Sequence, residues 1–223
     1  MLSNKLDSEF LKYLVDQDIA PGDRLPTLTD ISKKLGVSVG KLREQLEIAR
    51  SLGLVSVRPR LGIQREPFRF APAVWNAVIF SLGSGEANFA QFSQVRVALE
   101  TTFWDEAVAL LIPKDLEVLH TIIDRAWSKL RGEPVHVPNG EHRELHLKIF
   151  SRLNNPFVQG MLEAYWDAYE ASELTRFASY QYWVTVWEYH EQIVNALCAG
   201  EFAAGRTLMV QHFSLLPTSP QTT

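Results

Sequence analysis

The chain has 223 residues, 46% hydrophobic and 22% charged, the balance of a folded protein with enough length for two modest cores. A single cysteine, Cys198, rules out a disulfide framework. No apolar run approaches the roughly 20 residues of a membrane helix. The first residues, MLSNKLDSEF, lack the apolar stretch of a signal peptide, so a cytoplasmic protein is expected, with Cys198 as a small buried side chain.

Charge is unevenly placed. The net charge is −4, yet residues 24–65 hold nine Lys and Arg against three Asp and Glu, a local +6 that leaves −10 for the remainder. Residues 3–17 read as a helix with Leu6, Phe10, Leu14 and Val15 on one face. Ala20-Pro21-Gly22-Asp23 turns the chain, and Leu25-Pro26 leads into a second helix whose Leu28, Ile31 and Leu35 recur at helical steps. A turn at Gly36-Val37 follows. Ser38 can cap a third helix, which buries Leu42, Leu46 and Ala49, and Gly53 stands where a helix end needs a left-handed residue. Val55 and Val57 then alternate with Ser56 and Arg58, Pro59-Arg60-Leu61-Gly62 reverses the chain, and Ile63 begins a return strand. Helix, tight turn, helix and two-stranded wing make a winged helix-turn-helix, which sets a helix start in the DNA major groove. The positive charge lies where phosphate attraction would use it.

Glu66-Pro67 and Ala71-Pro72 punctuate a connector, so two domains are expected: a winged helix over 1–66 and an all-α effector-binding and dimerisation domain over 72–216. Segments 72–83, 87–110, 114–131, 139–153, 155–177, 180–199 and 201–215 read as its six or seven helices. The protein is mainly α, its β content confined to the wing. The closing PTSPQTT is expected to be disordered. Nine of the 24 aromatic residues fall between 165 and 190; they read as core and dimer face, with one or two reaching a ligand cavity.

With these residues in view, the stretch PGDRLPTLTDISKKLGVSVGKLREQLEIARSLGLV resembles the winged helix of GntR-type bacterial transcription regulators. VRVALE (95–100), HRELH (142–146) followed by LNNPF, and YHEQIVNALCAGEFAAGRTLMVQH (189–212) resemble the helical ligand-binding domain of the FadR branch of that superfamily. The resemblance covers nearly the whole chain. It implies a homodimeric, effector-responsive repressor or activator of a two-fold symmetric double-stranded DNA operator, not an enzyme. Carried onto this sequence, the DNA-facing set is Arg24, Thr27, Ser38, Gly40, Lys41, Arg43, Arg58 and Arg60. Arg43 is assigned to base edges or an adjacent phosphate, Lys41 and Arg24 to phosphate, and Arg58 and Arg60 to the wing. An intrahelical pair with Glu47 is the competing reading of Arg43. Thr29 and Val39 stand where members of the family usually carry arginines, the commonest readers of guanine, so a different operator or weaker base reading is implied.

His142 and His146 are four apart, so on a helix they share a face and can share a metal. The resemblance extends the set: His190 and His212 stand at the other ligand positions of metal-binding members, and position 142 is usually an aspartate there. The implied cofactor is a divalent transition metal, Zn or Ni foremost, since nitrogen ligands suit these ions. Four neutral imidazoles leave its charge unreduced, which favours a small carboxylate effector. Arg96 lies where related domains turn an arginine to the cavity, and could grip that carboxylate or pair with Glu100. His120 and His136 read as surface residues. Two alternatives remain: the same regulator without metal, sensing an apolar or acyl-type ligand, and a metal-dependent hydrolase. The latter finds no nucleophile elbow and no HExxH, and Glu144 falls on the far side of the His142–His146 helix.

Overall fold

The computed structural model describes residues 2–176 and 178–215, in two compact units that divide after Asn76. In the first, a 3₁₀ turn (Leu2–Lys5) precedes α1 (Glu9–Asp16), α2 (Leu28–Leu35) and α3 (Val39–Ser51), and then β1 (Val55–Arg58) and β2 (Gly62–Arg65). The expected continuous helix over 3–17 is broken because Ser8 restarts it as a cap, its hydroxyl accepting from the Leu11 N–H at 3.2 Å. Tyr13 takes the core position expected of Val15, which is 60% exposed.

Each helix of the helix-turn-helix opens on a side-chain cap. Thr27 accepts from the Asp30 N–H and Ser38 from the Lys41 N–H. Gly36, at φ 68°, ends α2 in the left-handed conformation. Phe10, Tyr13, Leu14, Ile31, Leu42 and Leu46 fill the core under α3. The Phe10 N–H donates to buried Gln45 Oε1 at 2.9 Å, fixing α1 against α3. The wing is antiparallel with Val57 opposite Ile63. At Gly62 (φ 78°) an added Cβ would lie 3.1 Å from Arg24 Nε, so the arginine crosses the wing where the chain has no side chain.

α4 (Ala71–Ser84) contains the point of division. The second unit continues with α5 (Phe89–Thr102), α6 (Trp104–Ala109), α7 (Pro113–Leu130), α8 (Asn139–Ile149), α9 (Pro156–Ala171), α10 (Tyr180–Cys198) and α11 (Phe202–Phe213). The segment 87–110 is two helices, parted at Phe103 with neither glycine nor proline. The break turns Trp104 fully inward, where its Nε1 donates to the Phe202 carbonyl at 3.0 Å. α9 stops at Ala171 rather than 177, and Glu173 beyond it is at φ 45°. α10 packs on α7 and α11, α8 on α7 and α9, and α5 on α9 and α11. Gly205 admits the close approach of α10 and α11: a Cβ there would meet Trp104 at 3.1 Å and Ala196 at 3.7 Å.

Cys198 is exposed, contrary to expectation, with its Sγ 3.2 Å from His120 Nε2. His120 and His136 lie on the surface as read. No helix among the described residues is long and apolar enough to cross a membrane. The PTSPQTT tail and Phe177 lie outside the described residues.

Candidate functional site

Three helices of the second unit turn four imidazole rings into a largely apolar interior, two of them from α8. α8 buries Glu141, His142, Leu145, His146 and Ile149, one face at helical spacing. α10 does so with Trp183, Val186, Trp187, His190, Ile193, Val194 and Leu197, and α11 with Gly205, Met209, His212 and Phe213. The four histidines so delivered, His142, His146, His190 and His212, are all at 1% exposure or less. One ring nitrogen from each lies within 4.8 Å of the others. His146 Nε2 and His190 Nε2 are 3.1 Å apart.

Buried polar groups are normally hydrogen-bonded. Here both nitrogens of His142, both of His212 and Nδ1 of His190 have no partner among the described residues. Burial pushes the protonation of all four rings well below its usual range, His190 to about 3, helped by Arg96 and, for all but His190, by neighbouring rings. Neutral imidazoles present lone pairs. Tetrahedral bonds of roughly 2.0–2.1 Å to nitrogen imply nitrogen–nitrogen edges of roughly 3.3 Å, so this donor set fits a divalent metal.

α5 adds two charged side chains. Arg96 and Glu100, at i and i+4, are fully buried, and Arg96 Nε donates to Glu100 Oε1 at 3.0 Å. The salt bridge weighed against effector binding is therefore present. The guanidinium also reaches the histidines: Nη2 lies 3.1 Å from both nitrogens of His146, and Nη1 donates to the Tyr165 hydroxyl at 3.4 Å. Its carbon sits 4.7 Å from the Trp166 ring centre. Burial pushes the Glu100 carboxyl up, and Arg96 opposes that shift. A guanidinium does not shed its proton in proteins, and Glu100 is the counter-charge it would otherwise lack at full burial.

Aromatic rings enclose the cluster. Trp166, Tyr169, Trp183 and Trp187 all stand within 6.3 Å of His142, centre to centre. The Nε1 atoms of Trp166, Trp183 and Trp187 are buried without an acceptor among the described residues. More of the aromatic run thus borders the site than the one or two residues expected, while Tyr180 is exposed. Glu100 entered the sequence reading only as a partner for Arg96. An acid and a base one turn apart in an apolar helix was the available signal. Glu144 is half-exposed and pairs with Arg125.

In the first unit, Arg24, Thr27, Ser38, Gly40, Lys41, Arg43, Arg58 and Arg60 are all exposed. Ser38, Gly40, Lys41 and Arg43 cluster at the start of α3, and Arg58 and Arg60 flank the wing turn, where Arg60 adopts φ 65°. Glu47 pairs with Arg50 at 2.6 Å. The Thr27 hydroxyl is committed to Asp30, donating to its carboxylate at 2.6 Å.

Two families match the chain: FCD domain over residues 91–215, and bacterial regulatory proteins, gntR family, over 5–64. The HTH-type transcriptional regulator YcbG of Bacillus subtilis, itself uncharacterized, is 24% identical over 221 residues, spanning 96% of this chain and 88% of that protein. Streptococcus agalactiae GntR superposes with a TM-score of 0.61 at 15% identity, covering 96% of this chain and 95% of its own. Lar, which controls expression of the Listeria monocytogenes agr system, gives 0.51 at 16% identity, covering 97% and 94%. At these identities the two structures speak for the fold.

Proposed function

Because the chain belongs to the FCD-domain family and joins that domain to a gntR-family winged helix, which makes it a DNA-binding transcription regulator and not an enzyme, we propose that its operator binding is controlled by a small carboxylate effector at a metal centre in the helical unit. The carrying observation is the meeting of four buried imidazoles from three helices, five of whose ring nitrogens lack a partner among the described residues. His142, His146, His190 and His212 would hold the ion, Zn or Ni in preference to Ca or Mg. Bound there, the ion would supply Lewis-acid attraction for an oxygen donor at an open coordination position.

The surrounding side chains favour an anion. Arg96, its charge balanced by Glu100, turns guanidinium N–H donors beside His146. The indole N–H groups of Trp166, Trp183 and Trp187 are donors without acceptors. Unpaired buried donors are costly, and a carboxylate brings acceptors without adding donors. Aromatic walls with a few polar groups suit a small organic acid. The regulator is proposed to act in the cytoplasm as a homodimer on a two-fold symmetric operator, with Ser38, Gly40, Lys41 and Arg43 at the major groove, Arg24 and Thr27 beside it and Arg58 and Arg60 in the wing.

Elemental analysis of protein purified without chelator tests the centre. Wild type is expected to carry close to one equivalent of transition metal per chain, His146→Ala essentially none, and His142→Asp a wild-type amount, since aspartate is also a competent ligand. Wild type that carries no metal and takes none up on addition would favour the metal-free reading, with an apolar or acyl-type effector.

A further inference from the structure

We propose that Glu100 is the positioning residue of this centre: its carboxylate fixes the tautomer of His146 so that Nε2 is the ligating nitrogen, and it holds Arg96 beside that nitrogen. This inference rests on the metal reading above and adds a residue that the sequence reading treated as a mere salt-bridge partner.

Glu100 is at 0% exposure and uses its two oxygens on different neighbours. Oε1 accepts from Arg96 Nε at 3.0 Å, and Oε2 lies 3.1 Å from His146 Nδ1. An ionised carboxylate can only accept, so Nδ1 must carry the hydrogen of the neutral ring. Were Glu100 protonated instead, Arg96 would be a buried cation without a counter-charge, a costly arrangement. With the proton on Nδ1, the lone pair of His146 is on Nε2, which faces His190 Nε2 at 3.1 Å.

Arg96 Nη2 is equally near both ring nitrogens. Nδ1–H already donates to Glu100, so Nε2 is the one acceptor open to the guanidinium until an ion takes its lone pair, and ligation then frees Nη2 for the effector. The other three histidines have no such support: His142 and His212 lack a partner at either nitrogen, and His190 lacks one at Nδ1. One carboxylate therefore sets the tautomer of a ligand and the place of the arginine offered to the effector. Metal-bound histidines commonly donate their other N–H to a carboxylate in this way, and loss of that partner weakens metal binding about 10- to 100-fold.

Zinc affinity measured by competition with a chromogenic chelator tests the assignment. Glu100→Gln is expected to weaken zinc binding about 10-fold or more, and Glu100→Asp to restore part of the loss. Should Glu100→Gln fail to fold because Arg96 is left unpaired, the double variant Arg96→Met, Glu100→Gln removes both charges and is expected to show the same weakening. Nitrogen-15 NMR of imidazole in the chelator-treated wild type is expected to show His146 with its proton on Nδ1. Folded Glu100→Gln with zinc affinity within twofold of wild type, or a proton on Nε2 in wild type, would overturn the proposal. A wild type that binds no zinc yet shows the Nδ1 proton would instead break the metal reading and leave the Glu100–His146 contact standing.

Discussion

At the scale of single residues, the first helical turn of α3 carries the proposed reading of DNA. Arg43 is exposed, and Glu47, one turn further along α3, is paired with Arg50. Arg43→Ala is expected to cost about 1–3 kcal/mol on the preferred operator and to relax preference at one base position, whereas Lys41→Ala should weaken all sequences alike and flatten the salt dependence by about one unit of slope. Operator selection and titrations at several salt concentrations check both, and equal behaviour of the two variants would remove the distinction. Histidines could be read from the sequence because imidazole is rare in apolar helix faces and because the resemblance supplied their positions. Glu100 could not be weighed in that way. Its role depends on which atom each oxygen meets, and an i, i+4 Arg–Glu pair looks the same on a solvated surface. Cys198 was misplaced for a related reason: ALCAG is apolar in composition, but α10 ends at Cys198, where the helix leaves the core.

At the scale of elements, caps and periodicity announced most of the fold. Ser38, Gly36 and Gly53 each carry a local rule that does not need the rest of the molecule. Boundaries without such punctuation were not legible. The break at Phe103 is set by the burial of Trp104, a tertiary demand that overrides the helical propensity of the segment. Gly53 combines both kinds of constraint. It sits at φ 70°, and a Cβ there would meet Pro72 at 2.7 Å, whereas Gly36 at φ 68° has nothing within 4 Å. Gly36→Ala is thus expected to cost about 1 kcal/mol, the left-handed penalty alone, and Gly53→Ala clearly more, about 2–3 kcal/mol with the added contact. Denaturant unfolding of the two variants compares them directly; equal losses would mean that Pro72 yields freely.

At the scale of the whole molecule, acid sensitivity separates the roles of its buried charges. Unfolded histidines protonate near 6.5, and the four in the helical unit are held below that by burial, by Arg96 and, for all but His190, by neighbouring rings. A lowered histidine pKa means that the unfolded chain binds protons first, so stability is full above about pH 6.5 and declines below it. Asp115 works in a lower window. Its hydrogen bonds with Arg152 and Lys148 hold it below the usual carboxylate range, so its contribution persists until the pH falls beneath about 4. Chelator-treated protein is expected to lose up to about 1.4 kcal/mol per histidine per pH unit below 6.5. Metal-loaded protein should lose more, since protons also compete with the ion. Melting curves between pH 7.5 and 5.0, with and without chelator, check this, and a flat profile over that range would contradict it. One further feature bears on time rather than energy. The four histidines are at 1% exposure or less, so anything held among them leaves no faster than the helices part. The response of the proposed centre to a falling supply would then be paced by the breathing of the bundle, and its occupancy would record the past as much as the present.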